Sequence, residues 1–476
     1  MDRRTFLTFA GAGAAAATVS FGAASAVAAP AGTSTPAAAP GGDRALLLKW
    51  FRDTYRSIEA MTTDFGLTAD KTDLSAGGRP VPSQETSPTN IGCGMWATVA
   101  AAGLGVISRD TMRRRLTGTV AAVEKLERHH GFWLNWYDAH DGSVLKVWPD
   151  GNPVRPFLSS VDNAWLVTGL RIAADAEPTL RGRISKILAT ADWSYYYTPY
   201  DPEDPAARPG QLRGGFWTDT GEPTGHHYGA LNTEPRMASY LGIADGSLPG
   251  DHYWHMFRTM LPEWEQEQTP GGGYETIGGV RLFNGHYTYR GKKLVPTWGG
   301  SMFEALMVPL FVPEPEWSPR SWGTTHSRYV RSHIEHGMEE AGYGYWGFSP
   351  SNIPEGGYSE YGVDAIGMQV DGYNSKGVVT PHASFLALPY ARSEAIANLR
   401  ALEKDFGAYD ERGYGFRDSV NTATGRVSDF VLALDQGMIA AALAQELSPG
   451  LLQRPFRTGG FARRVRPLLA QERFSI

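Results

Sequence analysis

Apolar residues recurring at three- and four-residue spacing dominate the chain. They predict helices over residues 46–61, 90–103, 109–129, 161–174, 180–193, 227–241, 252–261, 301–311, 327–340, 381–390, 393–406 and 428–447. Start signals mark three of them. Ser87-Pro88-Thr89 precedes the second, Ser393 with Glu394 opens the eleventh, and Ser428-Asp429 opens the last. Between the helices this period gives way to Gly- and aromatic-rich connections at 131–158, 195–225, 262–299 and 342–379. Connections of that length are uncommon in compact domains and are usually functional. Twelve helices taken in pairs, with alternate connections expanded, predict an all-α toroid of helical hairpins with its aromatic-rich loops at one rim. The alternative is an irregular helical domain with β-hairpins in its loops.

The N-terminus departs from this pattern. Arg3-Arg4-Thr5-Phe6-Leu7, an Ala/Gly-rich apolar run and Ala26-Val27-Ala28 read as a removable twin-arginine signal over residues 1–28. Residues 29–42, rich in Ala, Pro and Gly, read as a linker, and 43–476 as a single catalytic domain. The expected product is secreted or extracytoplasmic, without stable membrane insertion once the signal is removed. A lone cysteine, Cys93, excludes an internal disulfide and reads as a small packed residue, and a net charge of −6 argues against nucleic acid as a partner.

Motifs for several chemistries are missing. His333-Ile334-Glu335-His336 lacks the order of a zinc helix and reads as a solvated face, and the glycine runs lack the Lys-Ser/Thr of a nucleotide loop. No metal or cofactor is expected. What remains is carboxylates among aromatic residues, with 14 Trp and 21 Tyr in the chain. Trp and Tyr pair a flat apolar face with a polar edge, the combination that stacks on sugar rings. Glycoside hydrolysis needs one carboxylic acid to protonate the leaving oxygen and one carboxylate to activate water or attack. An apolar surround keeps the acid protonated near neutral pH. Glu234, in a segment of Leu, Ala, Met and Tyr, fits the acid, but equally fits a helix-terminus carboxylate. Asp162 and Asp435 carry the same ambiguity, and Asp138 and Asp141 beside Gly142 look like turn residues.

These segments, taken in order, resemble the bacterial glucoamylase-like glycoside hydrolases, the group that includes endo-β-1,2-glucanases of family 144. The likeness runs from Thr89 to Glu446. It is carried by Gly131-Phe132-Trp133 with Asp138, Ser160-Val161-Asp162-Asn163-Ala164, Asn232-Thr233-Glu234 and Tyr345-Trp346-Gly347-Phe348-Ser349. Further on come Asp371-Gly372, Val379-Thr380-Pro381-His382-Ala383, Tyr414-Gly415-Phe416-Arg417-Asp418-Ser419-Val420-Asn421 and Leu434-Asp435-Gln436-Gly437. The resemblance implies an (α/α)6 toroid with a carbohydrate cleft at one rim, catalytic carboxylates projecting into it, and displacement with inversion. It implies Glu234 as acid and Asp418 as base, with Asp138 and Asp162 shaping the cleft or orienting water. Trp133, Trp217, Trp346, Phe348, Tyr361, His382 and Asp435 are the expected substrate contacts. The sequence departs from the family at Thr233, at Ser349-Pro350-Ser351-Asn352, which lacks an acidic residue, and at Gly246–Gly250.

The leading expectation is therefore an exported hydrolase (or transglycosylase) of an oligo- or polysaccharide, β-1,2-glucan favoured, acting by inversion. A non-catalytic glycan-binding envelope protein is the alternative. A polysaccharide lyase using Tyr361 or His382 as base is disfavoured by the acidic balance of the chain.

Overall fold

The computed structural model describes residues 40–476 except 76 and 371. The signal-like segment 1–28, most of the linker-like segment and Asp371 lie outside the described residues. Among the described residues the chain is helix-rich, with fourteen α-helices. They are α1 (Pro40–Met61), α2 (Pro88–Gly103), α3 (Arg109–Val123), α4 (Ser160–Ala176), α5 (Arg181–Leu188), α6 (Arg236–Asp245) and α7 (His252–His255). The remainder are α8 (Met302–Leu306), α9 (Glu314–Trp317), α10 (Thr324–Glu335), α11 (Pro381–Leu386), α12 (Arg392–Phe406), α13 (Ala433–Leu447) and α14 (Gly459–Gln471).

Helices α2, α4, α6, α8, α11 and α13 form an inner set. α2 packs on α4, α4 on α6, α8 on α11, α11 on α13, and α13 back on α2. The step from α6 to α8 is made by Arg236, which donates to the carbonyls of Glu304 and Ala305 at 3.1 and 2.8 Å. α1, α3, α5, α10, α12 and α14 lie outside, against α13, α2, α4, α8, α11 and α6 respectively. α2 and α13 are apolar around nearly their whole circumference, as buried helices must be. Their close approach needs small residues. A Cβ on Gly92 would meet the Trp165 carbonyl at 2.5 Å, and one on Gly437 would meet Cys93 Sγ at 2.6 Å. Cys93 is thus a buried packing residue, and burial raises its thiol pKa well above the ordinary value.

Several elements differ from the periodicity reading, each for a local reason. The helix expected over 227–241 begins only at Arg236, because Pro235 disfavours helical backbone at Glu234. The helix expected from Ser428 begins at Ala433, since Phe430–Leu432 pairs as a strand with Lys71–Asp73. α1 begins at Pro40, inside the segment read as linker. His333 is fully buried beside Phe348, ring centroids 5.8 Å apart, and burial lowers its pKa to about 3, so that face of α10 is core and not solvated. The all-α expectation also misses short β ribbons of two or three strands in the loops. The largest pairs Gly271–Ile277 with Val280–Tyr289 and Lys292–Leu294.

Candidate active site

Each inner helix is preceded by a long connection, so the expanded loops meet where these helices begin. Carboxylates of those loops and first turns face one another. Asp435, in the first turn of α13, acts electrostatically on Asp70, which precedes α2. Glu234, just before α6, feels Glu304 of α8 and Asp162 of α4.

The turn carrying Glu234 is held from both sides. The Asn232 amide donates to the Val295 carbonyl at 2.8 Å, and the Thr233 hydroxyl donates to the Ala230 carbonyl at 2.7 Å. Glu234 is partly exposed, but dense protein surrounds it, and that burial followed by the charge of Glu304 pushes its pKa up to about 8. The nearest cation is committed elsewhere. Arg236 grips Glu314 through two hydrogen bonds of 2.7 and 3.0 Å. Glu304, by contrast, is caged. Its carboxylate accepts from the hydroxyls of Thr297 and Ser301, both at 2.9 Å, and from the backbone N–H groups of Gly299 and Ser301. The Ser301 side chain completes a capping box at the start of α8. Burial raises the Glu304 pKa against these bonds, but the cage fixes the carboxyl in place, whereas no such cage holds Glu234.

Asp162 lies in the first turn of α4. It accepts from the Thr89 hydroxyl and, with the Asn135 amide oriented to satisfy both neighbours, from Asn135 at 2.8 Å. Burial raises its pKa against these bonds. Asp418 and Asp435 lie deeper, 2 % and 1 % exposed. Asp418 accepts from the Leu432 N–H and the Asn352 amide, each at 2.9 Å. Burial, then the charge of Asp435, raises its pKa well above the carboxylate range. His382 Nδ1 stands 3.2 Å from Asp435 and offsets part of the burial that raises that carboxyl.

Asp138 is not with this group by its contacts. It closes an Asx turn on the His140 N–H at 2.8 Å and accepts from Gln84 at 2.8 Å, which is the turn role its neighbours suggested. The expected aromatic platforms are largely interior. Trp133 and Phe348 have no exposed area, and Trp346 and Tyr361 retain 2 % and 4 %. A ring with no accessible face cannot stack a sugar, so these four are packed interior residues. Trp217 is partly exposed, with the Arg155 guanidinium 4.2 Å above its ring.

Other residues emerge only in three dimensions. Tyr228, Tyr358, Glu360 and Tyr373 are all partly or well exposed, and all carry pKa values raised first by burial and then by the cleft carboxylates. For Glu360 the value reaches about 7, the second contribution coming from Glu304. Exposure combined with desolvation describes groups lining an enclosed, acidic recess.

Residues 270–459 match the family model Glycoamylase, described as "Putative glucoamylase". The chain is 27 % identical over 291 residues to a cyclic β-(1,2)-glucan synthase of Rhizobium meliloti, which covers 58 % of this chain and 9 % of that protein. It is 21 % identical over 384 residues to an exo β-1,2-glucooligosaccharide sophorohydrolase of Parabacteroides distasonis, covering 74 % of this chain and 48 % of the relative. The chain thus spans less than half the length of either relative. Among solved structures, an endo-β-1,2-glucanase from Chitinophaga pinensis superposes with a TM-score of 0.66 at 17 % identity, over 89 % of this chain and 97 % of that one. By sequence over residues 270–459 and by fold along most of its length, the chain resembles the bacterial glucoamylase-like proteins, and an endo-β-1,2-glucanase is among its structural neighbours.

Proposed function

We propose that this protein is an exported glycoside hydrolase that cleaves a glucan, β-1,2-linked glucan being the favoured class, on an (α/α)6 toroid. The observation that carries the reading is Glu234: a carboxyl lining the recess, held by its surroundings with a pKa of about 8 and without a hydrogen-bonded cation, since Arg236 pairs with Glu314. Such a group is protonated at neutral pH and can donate to a glycosidic oxygen. In the proposed inverting step, water attacks the anomeric carbon as the bond to the leaving oxygen breaks. Glu234 gives its proton to that oxygen, and the proton released by water passes to the Asp418–Asp435 pair. Two buried carboxyls acting on each other share one proton more readily than they both ionise, and the member left ionised is the one that accepts the proton from water. Asp162, anchored by Thr89 and Asn135, orients the sugar or the water. The β-1,2 linkage draws support from the relatives' named substrates.

The acidity of the recess favours a neutral glycan over the uronic acids a lyase requires.

The test is incubation of the purified protein with a panel of glucans, mannans and arabinans that includes β-1,2-glucan, with products read by chromatography. Short β-1,2-oligosaccharides are expected. Products from another polymer would keep the hydrolase and discard the linkage. Binding without product from any of them would replace the enzyme by a glycan-binding protein.

A further inference from the structure

A small hairpin stands over the recess, with Ser351–Asn352 paired to Tyr358–Ser359. Its base is tied to the segment of Asp418. The Asn352 amide donates to Asp418 at 2.9 Å, and the Ser419 hydroxyl donates to the Asn352 carbonyl. The turn passes through Gly356 and Gly357, with φ of 103° and 96°, backbone that residues with a Cβ rarely adopt. It is closed by the Ile353 N–H donating to the Gly357 carbonyl at 2.9 Å. This turn delivers the next residue, Tyr358.

Tyr358 combines two properties that open surface does not. Its side chain keeps 40 % of its area exposed, yet its phenol is desolvated. Carboxylates act on it from two parts of the rim: Asp435 and Asp70 by α13 and α2, Glu360 and Glu234 by the hairpin and α6. Tyr358 pairs directly with Asn352, whose amide reaches Asp418, so the two side chains share the hairpin face turned toward the Asp418–Asp435 pair. Glu360, two residues on, is also half-buried there and accepts from the Tyr373 hydroxyl. A tyrosine on a tethered hairpin, with a bare ring inside a carboxylate-lined recess, has the shape and chemistry to stack on a pyranose.

We propose that Tyr358 is a sugar-binding finger, its ring stacking on a glucose unit of the substrate beside the bond to be cleaved. The inference rests on the glycan reading above and names a contact within the same site. It makes the ring, not the hydroxyl, the main source of affinity.

The experiment uses full-length protein carrying Glu234→Gln, so that ligand is not consumed. Binding of β-1,2-glucooligosaccharides of increasing length is measured by calorimetry, with Tyr358→Ala and Tyr358→Phe added to that parent. Thermal melts check folding of each variant. Tyr358→Ala is expected to weaken binding by about 10- to 100-fold, the value of burying a large apolar side chain. Tyr358→Phe keeps the ring and is expected to stay within about 10-fold. An alanine variant that binds like its parent overturns the finger while leaving the glycan reading intact. Equal losses for alanine and phenylalanine overturn stacking. A parent that binds no oligosaccharide overturns the glycan reading, and the finger with it.

Discussion

Two glutamates beside α6 have opposite fates, and the contrast separates chemistry from architecture. Glu314 is fully buried, yet it accepts two bonds from Arg236, one from Tyr240 at 2.8 Å and one from His326 at 3.1 Å. Burial alone would raise its pKa, but Arg236 and His326 overcome that and hold it down at about 2. Glu234 is less buried but has no such partner, and its pKa goes up to about 8. The two share one cation, and Arg236 is spent on Glu314. Ion-pairing there fixes the junction of α6, α8 and α10. Its absence two residues away leaves a proton donor. The difference lies in partners and not in depth.

The comparison breaks first at Glu234. Replacing it by Gln removes the proton donor while keeping the shape, and kcat is expected to fall by about 10²- to 10⁴-fold with little change in KM. Steady-state rates on the substrate found by the glucan panel measure this, and an undiminished kcat would withdraw Glu234 as the acid. The second break is at Glu314. Its replacement by Gln leaves Arg236 charged and buried without its counter-ion, which costs about 3–5 kcal/mol. Urea unfolding should show a large loss of midpoint in that variant and none of comparable size in Glu234→Gln. Next in size is the pH profile of the wild type: kcat/KM should fall as pH rises through about 8, because the acid loses its proton there. A profile flat to the onset of unfolding would contradict the assignment.

How much of this could be read from the chain follows from which forces act locally. Inner helices such as α2 and α13 were legible because continuous apolar sequence has few destinations other than a core. The long Gly- and aromatic-rich connections were legible too, and they lead into the inner helices. Glu234 stood out by its apolar neighbours, but its position in a turn was missed although Pro235 announces it. Trp133, Trp346 and Phe348 were misjudged because aromatic residues beside glycines look alike whether they line a cleft or back it. Burial is decided by elements elsewhere in the chain: the Trp133 backbone N–H donates to the Asn163 side chain of α4 at 2.9 Å, and the Asn398 amide of α12 donates to the Trp346 carbonyl at 2.8 Å. Tyr358 lay within a segment of aromatics and carboxylates but drew no role of its own, for the converse reason. Nothing in its sequence neighbourhood says where the Gly356-Gly357 turn will aim it. Glu304 could have been found, since Ser301 three residues before a glutamate is a capping-box signature.

The smallest predicted effect is the sharpest test of the contrast, because the two glutamates should tilt stability with pH in opposite directions. The ordinary glutamate pKa is 4.5. Glu234 is raised, so its contribution is fully present below about 4.5 and is lost as pH climbs through about 8. Across that window the unfolded chain has released this proton and the folded chain has kept it. Glu314 is lowered, so its contribution is present above about 4.5 and disappears as pH drops towards about 2. Urea midpoints measured near pH 3, 5 and 8 should therefore cross. Glu234→Gln should lie closest to wild type near pH 3 and gain on it through pH 5 to pH 8. Glu314→Gln should be deficient at pH 5 and 8 but recover part of that deficit near pH 3. If Glu234→Gln instead ran parallel to wild type from pH 5 to 8, Glu234 would be ionised in the folded protein, and the proton that the proposed mechanism transfers would not be there.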